Sequence, residues 1–316
     1  ERDLAITHPT ARTRFVRVKP KSIMIEDPPL ILKMDPARLN IDGAEIEFTV
    51  IARIYVIGAI SLCFVYEFDE QKSEKSLEEV GLLFANDEAF SDIFLSYLTN
   101  LNEILRPHIP DITIDSTFFE DYFIYFTDDS NSSLDPAVLL MGENTRFSSQ
   151  MREEVLKNCM SYSDNDITYL SWGAAFLKNT EVPNDLFDLI EYANVQVLEL
   201  RYYDRELSRK MEKMYDDIEL ADRSTRFSRI RLYHQIMSDL MELHADVSEI
   251  TEKVNNLIKV TEDVYYARVY ATALKVLRSQ LWSESVNRKI LVIQKNYSML
   301  SDEVRIQHSN FLEWLL

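Results

Sequence analysis

Glycine is scarce in this chain: five in 316 residues, at positions 43, 58, 81, 142 and 173. The P-loop and the dinucleotide-binding fingerprint both need closely spaced glycines, so neither exists here and phosphate cradling by backbone is not expected. Cysteine is scarcer. Cys63 and Cys159 cannot build a disulfide framework or a CxxC metal site, and their apolar surroundings predict buried thiols in a reducing, cytoplasmic setting. The five histidines (His8, His108, His234, His244 and His308) are scattered, and no HExxH or GxSxG text occurs. Positive charge is short as well. With 34 Lys and Arg against 53 Asp and Glu, the net charge of -19 repels nucleic acid and anionic headgroups over most of the surface. No catalytic residue, metal, cofactor or nucleic-acid partner is therefore expected. Acid pairs such as Glu78-Glu79 and Asp216-Asp217 read as solvated helix faces.

What is present is ample apolar text, 46% of residues with 11% aromatic, enough for real cores. Three regions differ in character. Residues 1–40 hold five of the nine prolines and read as an arm or linker, with one strand at RFVRVK. Residues 41–182 interleave strands and helices. AEIEFTVIARIYVIGAISLCFVYEF is dense in β-branched and aromatic residues and predicts two strands split at Gly58; Arg53 within the run argues against a membrane span. SEKSLEEVGLLF and DEAFSDIFLSYLTNLNEIL have helical periodicity, STFFEDYFIYFT that of a strand, residues 148–160 that of a helix, and DITYLSWGAAFLKN that of a strand pair. RIYVIGAISL and TYLSWGAAFL echo each other, which suggests a duplicated β unit. This order points to an α+β domain with a ferredoxin-like mixed sheet.

From Pro183 the character changes. Residues 184–316 contain neither Gly nor Pro, where average usage would give roughly 16. An all-helical half is expected, opened by Pro183-Asn184-Asp185 as capping text. In its first helix Leu186, Ile190, Ala193, Val197, Leu200, Asp204, Leu207, Met211, Met214 and Ile218 recur at spacings of four and three, a coiled-coil-like seam interrupted by Asp204. Asn194 and Arg201 fall inside the same apolar arc, two turns apart. A buried Arg needs a counter-charge, and Asp204 three residues on is the local candidate. Asn194, Arg201 and Asp204 thus form either a ligand or partner site or, the commoner use of such groups, a structural network that fixes helix register.

A second helix is expected over residues 224–259, with His244 in its seam. Its start packs Arg223, Arg226, Arg229 and Arg231 into nine residues, a basic cluster for an acidic partner or for pairing with the preceding DDIELAD. The last helix, from residue 283 to 316, carries Val286, Ile290, Ile293, Tyr297, Leu300, Val304, Gln307, Phe311 and Trp314 on a heptad stripe and would form a stalk about 50 Å long.

Three pieces in order resemble the required-for-meiotic-nuclear-division family, also met as Sad-interacting factors in yeast: the strand YLSWGAAFL, the helix IEYANVQVLELRYYD with Asn194, and the terminal LEWLL. The likeness covers roughly residues 166–316. It implies a single transmembrane helix opened by LEW, membrane-anchored oligomers, and no assigned catalytic residues. Trp172 stands before the Gly-Ala rather than an aromatic pair after it, which with the acidic charge points to a prokaryotic relative. The expected protein is a membrane-tethered, non-enzymatic oligomeric scaffold on the cytoplasmic face. Phe311 and Trp314 would be membrane-proximal, ahead of a span beyond Leu316. The alternative is the cytoplasmic part of a metal-ion channel similar to the CorA type.

Overall fold

The computed structural model describes residues 28–41, 44–68, 77–86, 89–109, 113–128, 134–223 and 264–315, with 241, 245 and 248, and describes only the backbone at 41, 44, 86, 89, 217–223, 297 and 300–315. The proposed strand RFVRVK and nearly all of the 224–259 helix lie outside these residues. By internal contact the chain divides into two units, Glu1–Leu198 with Leu257–Leu277, and Glu199–Asn256 with Arg278–Leu316.

In the first unit, β1 (Leu30–Lys33), β2 (Ala37–Ile41), β3 (Ala44–Ile54) and β4 (Ile60–Val65) form an antiparallel sheet around β3. β1 pairs Leu30 with Ile54, whereas β2 pairs Ala37 with Phe48, so the register slips by one residue at Asp35-Pro36. This is a bulge placed where proline cannot donate to the ladder. The turn to β4 closes with Tyr55 N–H donating to Ala59 (2.9 Å), and Gly58 adopts φ 101°, a conformation that a side chain would strain. Alternation along β3 buries Ile46, Phe48, Val50 and Ala52 on one face, against α1 (Leu77–Asn86) and α2 (Ala89–Leu105). Phe48 sits among Phe64, Tyr66, Phe84 and Phe90, with ring centroids 5.4–6.3 Å away.

The second sheet has the order β5 (Phe123–Thr127), β8 (Ala174–Lys178), β7 (Ile167–Leu170), β6 (Cys159–Met160), with β5 parallel to β8 and the rest antiparallel. The fold is thus mixed α and β, with two four-stranded sheets among the described residues where one mixed sheet is expected from the sequence. The echoed texts both span hairpin turns, β3–β4 and β7–β8, yet the sheets around them differ in topology. Four local expectations need correction. Residues 30–40, read from the sequence as part of an arm or linker, carry β1 and most of β2 and are paired into the first sheet. Residues 159–160 form β6 rather than the end of a helix. That helix, α4 (Ser149–Leu156), is capped by the Ser148 hydroxyl on Met151 N–H and ends earlier. A short helix, α3 (Pro136–Met141), opens where only turn text is evident, because Asp135 caps it and proline sits in its first turn. Cys159 is exposed and Cys63 half-buried, where both thiols are expected inside.

Gly81 on α1 lies where a Cβ would meet Leu139 Cδ2 at 2.6 Å and Tyr125 Cε1 at 2.9 Å. Gly→Ala inside a helix normally stabilises by up to about 1 kcal/mol. Here overpacking wins, so Gly81→Ala is expected to destabilise by about 1–2 kcal/mol in thermal or denaturant melts. A gain in stability would contradict this contact.

Among the described residues α5 (Asn184–Arg223), α6 (Val264–Val276) and α7 (Ser279–Leu315) follow. At about 1.5 Å per residue α5 and α7 are about 60 and 55 Å long. Arg278, at φ 56°, breaks the chain between α6 and α7. In the first unit, α5 buries Leu186, Leu189, Ile190, Ala193 and Val197, while α6 buries Val269, Tyr270, Ala273 and Leu274, and Tyr270 Oη donates to Gln196 Oε1. In the second unit the buried residues of α5 include Leu200, Leu207 and Met214, and those of α7 include Val286, Ile290 and Ile293. These are the positions that the four-and-three spacing selects. No described helix is long and apolar enough to cross a membrane.

Candidate functional site

Among the described residues a cluster of largely buried ionisable groups lies in the first unit, on the face of β3 and β4 opposite their aromatic core. Alternation that sends Val50 and Ala52 into that core sends Ile51 and Arg53 the other way. Across the ladder, Ser61 stands opposite Arg53 and Cys63 opposite Ile51. The first turns of α5 present Asp188 and Glu191, three residues apart and so neighbours on one helix face. The Arg53 guanidinium forks between them: Nη2 donates to Asp188 Oδ1 at 3.0 Å and Nη1 to Glu191 Oε2. Tyr55 Oη donates to Glu191 Oε1 at 3.0 Å, and the Ser61 hydroxyl bonds the same carboxylate. The Tyr55 ring lies 5.9 Å from that of Tyr192. Side-chain exposure is only 13% for Arg53, 14% for Glu191 and 21% for Asp188, so these charges are largely removed from water.

Burial decides the protonation behaviour. It pushes the Glu191 carboxyl above its ordinary value, opposed by Arg53 and the hydroxyl donors. Burial works against the Arg53 charge, but Glu191 and Asp188 outweigh it and hold the guanidinium above its usual value. Burial, then the Glu191 charge, pushes Cys63 up to about 11 and Tyr55 far above an ordinary phenol. A thiol at about 11 is protonated at neutral pH and a poor nucleophile. Both carboxylates are committed to Arg53. Chemically the cluster is an ionic clamp that fixes α5 to the β3–β4 hairpin.

A second polar cluster lies in the other unit. The Asp204 carboxylate contacts Lys289 Nζ at 2.7 Å and accepts from the Ser285 hydroxyl at 2.7 Å; Lys289 also donates to the Asp204 carbonyl (2.9 Å) and to Ser208 Oγ (2.6 Å). The Arg201 guanidinium lies 5.3 Å from the centroid of the Trp282 ring, a cation–π contact. The Asn194 amide donates to Ile190 O, one turn back on its own helix, at 2.9 Å. All three residues singled out from the sequence are thus on α5, but the groups found around Asp204 come from α7. Arg223 closes α5; its side chain and Arg226, Arg229 and Arg231 lie outside the described residues, as do His244 and the side chains of Phe311 and Trp314.

Sequence reasoning used Arg53 only as an argument against a membrane span and passed over Asp188 and Glu191. The available signal was phase: Arg53 is one residue out of step with the buried face of its strand, so covering the other face requires a carboxylate. Ser285 and Lys289 had a weaker signal, as polar residues next to Val286 and Ile290 of the α7 stripe. Among the described residues no group of three His, Cys, Asp or Glu could hold a metal ion.

Fold and clamp together define a class of α and β protein in which a β hairpin is locked by charge to the start of a long helix. The chain belongs to the family described as "Uncharacterized protein MJ0711, N-terminal domain", which matches residues 1–184 and so takes in both sheets and ends at the first residue of α5, ahead of Asp188 and Glu191. It is similar to uncharacterized protein MJ0711 of Methanocaldococcus jannaschii, 24% identical over 240 residues, a span of 72% of this chain and 68% of that protein. No solved structure matches the chain.

Proposed function

We propose that this protein is a membrane-tethered, non-enzymatic oligomeric scaffold whose second unit mediates self-association. The observation that carries the reading is the apolar surface left exposed on two helices far longer than the roughly 11–12 residues of an average one, Tyr215 on α5 and Leu281, Leu291 and Met299 on α7. These lie outside the seam of Leu200, Leu207, Met214, Val286, Ile290 and Ile293 that is already buried within one chain. Large apolar side chains left in water on long helices are suited to covering by a second copy. The chemistry of the clamp fits the same reading, because its acids serve Arg53 and its thiol is held protonated. Attachment to a membrane rests on the text at 311–316, where Trp314 suits a bilayer interface.

Sedimentation equilibrium of the chain is expected to give a mass above 37.0 kDa that rises with concentration, and the full-length protein is expected to partition with membranes. A strict monomer at high concentration overturns the scaffold; a full-length protein that partitions as soluble overturns the tether.

A further inference from the structure

We propose that the outer edge of β4 is a second self-association surface, on which β4 of another copy pairs antiparallel to make one sheet across two molecules. β4 pairs only with β3 among the described residues. The turn bond from Tyr55 N–H to Ala59 O sets the phase of the ladder. Tyr55 and Ala59 are a hydrogen-bonded pair, so Arg53–Ser61, Ile51–Cys63 and Thr49–Val65 are too. The N–H and C=O groups of Ile60, Leu62 and Phe64 therefore point away from β3. Among the described residues these six groups have no partner.

The occupant follows from charge and symmetry. The strand is Ile-Ser-Leu-Cys-Phe-Val, without charge, proline or bulge, so it lacks the features that normally protect an edge. The opposite side of the sheet has them: Lys33, Asp35, Pro36 and Arg38 lie along β1 and β2. A chain of net charge -19 repels its own copies, so copies meet most readily through a neutral stretch, and β4 supplies one to both partners. The edge is also self-complementary. With Leu62 opposite its own copy, Ile60 faces Phe64 of the other molecule and all six groups are satisfied in six bonds, as an isologous two-fold interface requires. Ile60, Leu62 and Phe64 all pack toward the aromatic core, so pairing would extend that apolar face across the joint. The edge of β5 is also uncharged, but its parallel pairing leaves only Ile124 and Phe126 pointing outward.

This surface is separate from the exposed apolar surface of the helices, and one experiment tells them apart. Hydrogen exchange of the intact chain is measured from dilute to concentrated solution with the mass followed in parallel. The amides of Ile60, Leu62 and Phe64 are expected to slow at least about tenfold as mass rises, while those of Ser61 and Cys63, bonded to β3, stay constant. Mass that rises with no change at these three amides overturns the proposal and assigns association elsewhere. Protection that is the same at every concentration means that the edge is covered within one chain and also overturns it, as does a chain that never associates. Leu62→Pro removes an outward N–H without touching the β3 ladder. It is expected to keep the folded near-ultraviolet signal and weaken association; a folded variant that associates as the parent does overturns the proposal. Should it not fold, the exchange series still decides.

Discussion

Arg53→Met is expected to lower the stability of the first unit by about 4 kcal/mol, on the order of 10 °C in its melting temperature. Methionine keeps much of the aliphatic volume, so the loss isolates the charge. Without the guanidinium, Asp188 and Glu191 remain as two carboxylates on one face of α5, each mostly buried and each repelling the other. Breaking a buried pair from one side is costly because the partner's lost hydration is no longer offset. An exposed ion pair would contribute less than about 1 kcal/mol, so a loss that small would mean the clamp is open to water.

The deficit has a pH signature. The Glu191 pKa is raised in the folded state, so the folded protein holds a proton there that the unfolded chain has released. Its contribution to stability is fully present below the ordinary carboxylate value and lost as pH rises through the raised one. Removing Arg53 takes away the charge opposing that rise and widens the window upward. The Arg53→Met deficit should accordingly be largest near neutral pH and narrow on acidification, as protonated carboxyls stop needing a counter-charge; a constant deficit would contradict the argument. Asp135 and Asp166 slope the other way. The bonds from Arg152 hold Asp135 below its usual value; for Asp166, burial is outweighed by donors from Ser163, Tyr162 and Tyr265. Both contribute stability above the ordinary range and lose it as pH falls through their depressed values, so the difference between parent and variant isolates the clamp.

The parts of the fold that could be read in advance are those governed by a single local period. The apolar spacing along α5 selects Leu186, Ile190, Ala193, Val197, Leu200, Leu207 and Met214, which are buried, and Met211, which is half-exposed, while the alternation along β3 selects its core face well. What was hidden depends on which distant face comes to cover a residue. Arg53 and Glu191 are 138 positions apart, and nothing local to either names the other. α3 was hidden because six residues carry too little period, and its determinants are the Asp135 cap and a proline that also reads as a turn. The polar interruption at 204 was visible on α5, but the counter-charge expected for it, Arg201 one turn back, is not the group seen on its carboxylate: Lys289 holds it, and Arg201 covers Trp282. Proximity along a helix is a weak guide once a second helix supplies donors across the seam.

Asp204→Leu is expected to destabilise the second unit by about 2 kcal/mol, between the values for exposed and fully buried pairs, because Asp204 is 16% and Lys289 22% exposed. The ammonium would retain the Ser208 hydroxyl and the residue-204 carbonyl but lose its counter-charge. Combining Asp204→Leu with Lys289→Met should recover most or all of that loss, since a well-packed apolar pair often equals or exceeds a buried ionic one. The non-additivity, read by denaturant unfolding of the two single variants and the double, measures the coupling directly. Recovery of stability should come with loss of definition. A polar residue in an otherwise apolar seam penalises every register except the one that meets its partner, so the double variant is expected to hold α7 less firmly against α5 and to lose near-ultraviolet signal from Trp282. If the single variant is as stable as the parent, the pair is solvated and contributes nothing. If the double variant recovers stability and retains the parent's near-ultraviolet signal, the Asp204–Lys289 pair stabilises the unit without selecting its register.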